Sequence, residues 1–144
     1  MKRFQFSLEN AKHLRRLRAD MERAKLESLY TELRQLDVQK TDIDTEVLSA
    51  HKLVKNEDTI RAEQLYSLDR FTRHMSSQKE LLDRRRVDLY SQIAQQQVKL
   101  VTAERDFELL EKLKHQKQED WRVAFNREQE DLASEVFLAN WERR

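Results

Sequence analysis

The side chains that could do chemistry are few and poorly arranged for it. The sequence holds four histidines, His13, His51, His74 and His115, and none has a second His at i+3 or i+4. No His-Glu-x-x-His or Glu-x-x-His spacing occurs, so no helix face offers a metal the ligand pairs that such sites use. Cysteine is absent, which removes thiolate ligands, disulfides and thiol nucleophiles. Glycine is absent too, and with it the phosphate-cradling loop. Acidic pairs such as Asp83/Asp88 and Glu104/Glu108 sit among Lys and Arg at helical spacing, which reads as solvated ion pairs rather than acid–base machinery. The expectation is a non-enzyme without catalytic residues, metal or cofactor, acting through its surface.

The composition says which elements carry that surface. A chain of 144 residues would ordinarily hold about 17 Gly plus Pro, and this one has neither. Most turn chemistry is therefore missing, and folds that turn often are excluded. Charged residues make up 38% and apolar residues 38%, with mean hydropathy −0.94. That balance is too polar for a thick core, yet Leu, Phe, Trp and Val recur at regular spacing. Long helices burying a narrow stripe fit it. Met1-Lys2-Arg3 is followed by no apolar run, and no stretch approaches the roughly 20 apolar residues of a membrane span. A cytoplasmic protein is expected.

The net charge of +1 conceals four blocks of alternating sign. Residues 1–36 carry nine Lys/Arg against five Asp/Glu, 37–69 four against eight, 70–117 eleven against seven, and 118–144 four against seven. Nucleic-acid binders concentrate basic residues on one face, so no nucleic-acid partner is expected. Arg84-Arg85-Arg86 reads as a solvated helix face.

Three-four spacing runs through both halves. The ladder from Leu65 to Ala124 takes eighteen positions, twelve of them apolar, with Leu68, Met75, Leu82, Leu89, Ile93, Leu100, Phe107 and Leu110 among them. Thr72, Lys79, Arg86, Gln96, Lys114 and Lys117 are its polar members. Upstream, Leu26, Leu29, Leu33, Leu36, Lys40, Ile43, Val47, Ala50 and Val54 form a second ladder. Leu14, Leu17, Met21 and Ala24 keep the spacing in a shifted phase, which resembles a stutter. The expected seam comprises Leu29, Leu33, Leu36, Ile43, Val47, Leu65, Leu68, Leu82, Leu89, Ile93, Leu100, Phe107 and Leu110.

Between the ladders, Asn56, Asp58 and Thr59 offer N-cap oxygens, and Asn can take the left-handed conformation at a helix end. The expected fold is all-α: one elongated domain, 1–144, forming a long antiparallel two-helix coiled-coil hairpin with a C-terminal helical overhang. Helix 1 covers about 6–55, the bend about 55–59 and helix 2 about 60–140. A bend near 57 pairs position i with roughly 114 − i, leaving Trp121, Phe125, Leu132, Val136, Phe137, Leu138 and Trp141 beyond the partner helix. The competing fold is one continuous helix in a parallel dimer.

Off-seam apolar residues gather in two places. Leu48, Tyr66 and Phe71 lie near the bend with Met75 at the seam edge, and Phe4, Phe6, Trp121, Phe125, Phe137 and Trp141 lie near the open end. Buried aromatics dominate interface energetics, so these are candidate anchors.

Phe4-x-Phe6-x-Leu8-Glu9 followed by Leu14-Arg15-Arg16-Leu17-Arg18 resembles the start of the FliJ family, the soluble stalk proteins of the flagellar type III export apparatus. Tyr66-Ser67-Leu68-Asp69-Arg70-Phe71, Phe107-x-x-x-Glu111-Lys112-Leu113-Lys114 and Glu135-Val136-Phe137 are similar to later segments of that family, and the likeness covers essentially the whole chain. It implies a coiled-coil stalk whose paired N- and C-terminal end enters the hexameric export ATPase, with Phe4, Phe6, Trp121, Phe125, Val136 and Trp141 at that contact. The bend end would meet the cytoplasmic domain of the export gate's membrane protein through Leu48, His51, Phe71, Met75 and Gln78. Position 75 looks to be Leu in the family pattern, so Met75 departs from it. The likeness also implies export chaperones as partners and a peripheral location at the inner face of the membrane. The alternatives are a coiled-coil scaffold or dimerisation protein, and the equivalent stalk of a virulence secretion system.

Overall fold

Leu, Ala, Glu, Gln, Lys and Arg dominate the sequence, all of them good helix formers, and no Gly or Pro interrupts them. The computed structural model describes residues 2–143 and consists of two long helices packed against each other. Helix α1 spans Glu9–Lys55, 47 residues, and α2 spans Ala62–Glu142, 81 residues. The continuous-helix alternative is thereby overturned, because the backbone leaves helical geometry between Lys55 and Ala62.

The helix ends differ in detail from expectation. Helix α1 starts at Glu9 rather than near Phe6, with Glu9 N donating to Phe6 O at 3.1 Å and Lys12 N to Leu8 O at 2.9 Å. Phe4 and Phe6 stay outside the helix. At the other end, Asn56 N donates to Lys52 O at 3.0 Å and Glu57 N to Val54 O at 3.4 Å. No described residue has positive φ, so Asn56 does not supply the left-handed cap. Lys52 and Lys55 stand in the last turn, where cations offset the carbonyl end of the helix dipole. Nor do Asn56, Asp58 or Thr59 cap α2. Gln64 does so, its Oε1 accepting from Arg61 N at 2.9 Å while its Nε2 donates to Glu57 at 2.5 Å. This is the back-bonded half of a capping box.

Contacts divide the chain into two compact units: Glu22–Lys99, and the remainder, which joins the chain before Glu22 to the chain after Lys99. Within Glu22–Lys99, Leu36, Leu89 and Ile93 are buried, with Leu89 at 0% exposure. Leu29, Leu33, Ile43, Val47, Leu68 and Leu82 are half-buried beside them. The polar ladder positions of α2 meet polar groups of α1. Gln96 is buried and donates to Glu22 O at 3.0 Å and to the Glu22 carboxylate. Arg86 lies 3.6 Å from Asp37, Lys79 2.7 Å from Asp44, and Lys40 reaches Asp83. Partner numbers on α2 fall as those on α1 rise: Glu32 meets Arg85, Asp44 meets Lys79, and Thr72 meets His51. Leu65 does not join this seam. It is 52% exposed, while Gln64, drawn in by its capping bonds, is half-buried.

In the other unit, Ala19 and Ala103 are buried, and Leu100, Phe107 and Leu110 are half-buried. Here the expected phase shift is corrected. Leu14, Leu17 and Met21 are 68%, 61% and 61% exposed. Stepping back from Leu26 in unbroken three-four intervals gives Glu22, Ala19, Arg15 and Lys12, and these are the positions that face α2. Arg15 contacts Asp106 at 3.4 Å, and the Lys12 ammonium lies 6.0 Å from the Phe107 ring centre. Ala19 and Ala103, small side chains 4% and 5% exposed, are enclosed there.

Seam position should decide mutational cost. Leu89→Ala should lower unfolding free energy by about 2–5 kcal/mol. Leu65→Ala should change it by under about 1 kcal/mol. Urea denaturation followed by circular dichroism measures both; equal costs would refute the burial pattern.

Candidate interaction surfaces

Among the described residues, the informative geometry is where apolar side chains stay accessible and what holds them. In the unit that includes the N-terminal segment, the stretch Lys2–Leu8 lies against Leu113, Lys117 and Trp121 of α2 and forms an apolar groove with them. The Phe4 ring stands 6.1 Å from Trp121 at an interplanar angle of 55°, and Trp121 stacks on Phe125 at 5.2 Å and 14°. Trp121 Nε1 donates to Lys2 O at 3.1 Å, so the indole is satisfied on its polar edge as well as packed on its faces. Phe4, Phe6, Trp121 and Phe125 are all half-buried.

This corrects the expected extent of the unpaired segment. The proposed pairing put Phe6 opposite about residue 108, yet Glu9 meets Lys114 at 2.8 Å and Phe4 meets Trp121. Residues 56–61 lie outside both helices, which moves the crossing point further along the chain than residue 57. Trp121 therefore has a covering partner, Phe125 is half-buried against Trp121, and the exposed stretch starts beyond them. Every residue from 131 to 143 is exposed, including Val136 at 60%, Phe137 at 64% and Trp141 at 71%. Phe137 and Trp141 pair with each other at 6.2 Å. Of the six residues assigned to this contact, four are brought together and Val136 and Trp141 are not.

In the Glu22–Lys99 unit, a shallow groove is lined by Ala50, Leu53, Val54, Leu68 and Phe71 with the stems of Glu63 and Gln64. Phe71 is half-buried there, and Met75 is half-buried. His51 Nε2 lies 3.4 Å from Thr72 Oγ1. Leu48 and Gln78 are exposed. Sequence reasoning missed Leu53, 73% exposed and on the groove rim. Its signal was its place beside Val54, one position off the ladder.

No three His, Asp or Glu side chains converge as a metal site among the described residues, and no described helix is long and apolar enough to cross a membrane.

The carboxylates that tie the helices together are biased toward their charged form. The Glu9 carboxyl is held below its ordinary 4.5 first by its bond from Lys114, that of Glu22 by Gln96, and that of Asp83 below 3.8 by Lys40. A depressed folded-state value stabilises the fold above the unfolded value, and that contribution is lost as pH falls through the folded one. The thermal midpoint should accordingly be level from neutral pH down to about 5 and then fall as the medium is acidified below 4.5. Glu22→Gln should flatten part of that fall; a midpoint indifferent to acid would contradict these bonds. Separately, in a Trp141→Phe background Trp121 is the only indole, and Phe4→Ala should shift its emission to longer wavelength. An unmoved spectrum would mean that the Phe4 contact is not kept in solution.

No family model matches this chain, and neither a curated protein nor a solved structure matches it.

Proposed function

We propose that this chain is a non-catalytic stalk of the flagellar type III export apparatus, built as an antiparallel two-helix coiled-coil hairpin with a C-terminal helical overhang. Support for the hairpin comes from the ion-pair ladder, in which α2 partners step down as α1 partners step up. Support for the role comes from the resemblance to the FliJ family, from Phe4-x-Phe6-x-Leu8-Glu9 through Glu135-Val136-Phe137.

The observation that carries the reading is the aromatic cluster of Phe4, Trp121 and Phe125, followed on α2 by a helix whose apolar side chains are exposed. A helix that keeps Val136, Phe137 and Trp141 in water is built for a partner. In this reading the partner is the pore of the hexameric export ATPase. The groove around Phe71, with Leu48, His51, Met75 and Gln78 near it in sequence, serves the cytoplasmic domain of the export gate's membrane protein. Location is peripheral, at the inner face of the membrane through those partners, and export chaperones are further candidates.

The mechanism needs no chemistry in the stalk. One helical pair inside a ring of six cannot touch all six subunits alike. It stabilises some subunit conformations over others, and a ligand shifts an equilibrium only by such differential affinity. Charge blocks of alternating sign aid orientation and encounter more than final affinity.

The scaffold alternative has one observation in its favour, the exposed apolar stripe Leu14, Leu17 and Met21, to which the stalk reading assigns no contact. Stimulation of a purified hexameric export ATPase separates them: the stalk raises turnover and a scaffold leaves it unchanged. Trp121→Ala with Phe125→Ala should cut stimulation at least about tenfold while mean helicity stays near the parent value. Phe71→Ala should spare stimulation and weaken gate binding; equal loss of both would contradict two separate surfaces.

A further inference from the structure

The groove between the segment Lys2–Leu8 and α2 differs from the rest of its unit in how its charges are used. Lys12, Arg15 and Lys114 each pair with a carboxylate of this chain. Lys2, Arg3 and Lys117 line the groove, are exposed, and make no ion pair among the described residues. No described Asp or Glu lines it. The acids nearest in sequence are Glu9, held by Lys114 at 2.8 Å, and Asp120, and neither belongs to the lining. Phe6, Leu113 and Trp121, all half-buried, give the groove its apolar wall. We infer that this groove binds an acidic peptide segment of a partner. An apolar side chain of the peptide enters against Phe6, Leu113 and Trp121, and its flanking carboxylates meet Lys2, Arg3 and Lys117.

Size, charge and backbone select that occupant. The groove holds about 530 Å³, within the range of sites that take a small ligand or a few side chains. Unpaired cations beside apolar surface complement carboxylates, and the Arg3 guanidinium presents a fork that fits one bidentately. Along Lys2–Leu8, the Lys2, Phe6 and Leu8 carbonyls accept hydrogen bonds. The amides of Arg3, Phe4, Gln5 and Phe6 donate to no described residue. Carbonyls of an added peptide chain answer such amides, whereas an acyl chain offers them nothing. An anionic bilayer or a nucleic acid is disfavoured for a second reason. Beyond the groove, residues 128–142 of α2 hold Glu128, Glu130, Asp131, Glu135 and Glu142 and no Lys or Arg. An extended polyanion would lie over both surfaces and be repelled by the second, while a short peptide stays within the first.

The peptide's role rests on the contact proposed above for Phe4, Phe6 and Trp121, whose partner chemistry it specifies. Peptide binding is measured on the free chain without any ATPase, so stimulation can fail while peptide binding holds, and the reverse.

A displayed library of random peptides of about 12 residues, selected on the immobilised full chain, should yield sequences in which Asp or Glu flank an apolar residue. The most enriched peptide, synthesised and titrated into the full chain in a Trp141→Phe background, should change the emission of Trp121, which lines the groove. Arg3→Glu and Lys117→Glu should each weaken binding about tenfold or more, and raised salt should weaken it further. Lys117→Arg and the remote Arg70→Glu should stay within about twofold. Circular dichroism of the free variants should match the parent, because all three positions are exposed. Enrichment without acidic bias, equal selection on the Lys117→Glu chain, or equal loss from Arg70→Glu would each overturn the proposal. So would binding to phosphatidylserine vesicles or to a single-stranded oligonucleotide that Lys117→Glu abolishes, or self-association of the chain that the same substitution abolishes.

Discussion

The structure depends on one constraint: two helices with a stripe each, too narrow to be stable alone, must keep those stripes in register. Among the described residues, the buried side chains are Ala19, Leu36, Leu89, Ile93, Gln96 and Ala103, all on the facing ladders of α1 and α2. A fully buried Leu contributes about 1.5–3 kcal/mol, so a core this thin tolerates few errors of alignment. Alignment comes from polar groups within the seam. Gln96 on Glu22 and Lys40 on Asp83 each satisfy a polar group, and Arg86 sets its charge beside Asp37 although its Nε makes no hydrogen bond. Exposed ion pairs are individually weak, so these add little to the summed energy.

The same constraint explains where accessible apolar surface remains. Apolar side chains that fall off the facing ladder cannot be buried by a two-helix layer, whatever their size. Leu14, Leu17, Met21 and Leu53 are left exposed for that reason, Val136 because it lies past the covered stretch of α2, while small Ala19 and Ala103 are enclosed. Phe4 and Trp121 are intermediate, because the non-helical segment before Glu9 folds against α2 and supplies a third element there.

Much of the fold was legible in the residues. The absence of Gly and Pro called for helices, the ladder from Leu68 to Leu110 was set in its true phase, and Asn56–Thr59 lay within the break. The N-terminal phase was not legible, because Leu14, Leu17 and Met21 are more apolar than the Glu22, Ala19, Arg15 and Lys12 that face α2. Periodicity weighs hydrophobicity alone, whereas the seam here is also closed by ion pairs whose partners lie about a hundred residues away. The cap was missed for a similar reason: Asn, Asp and Thr are the strong N-cap residues, yet Gln64 reaches back to Arg61 and decides where α2 begins. Of the contact surfaces, the aromatic types were readable and their partners were not. The tilted contact of Phe4 with Trp121 depends on a pairing offset set by the six residues between the helices.

Whether α1 folds back along α2 is tested directly by one distance. Leu14 and Leu109 are 68% and 65% exposed, so spin labels at both leave the seam intact. In samples diluted with unlabelled chain, pulsed dipolar spectroscopy should give a separation of about 2–3 nm, the width of a helix pair plus two labels. A single uninterrupted helix would instead hold them about 14 nm apart. A distribution centred near the longer distance, or no dipolar modulation from the diluted sample, would contradict the fold and everything built on it.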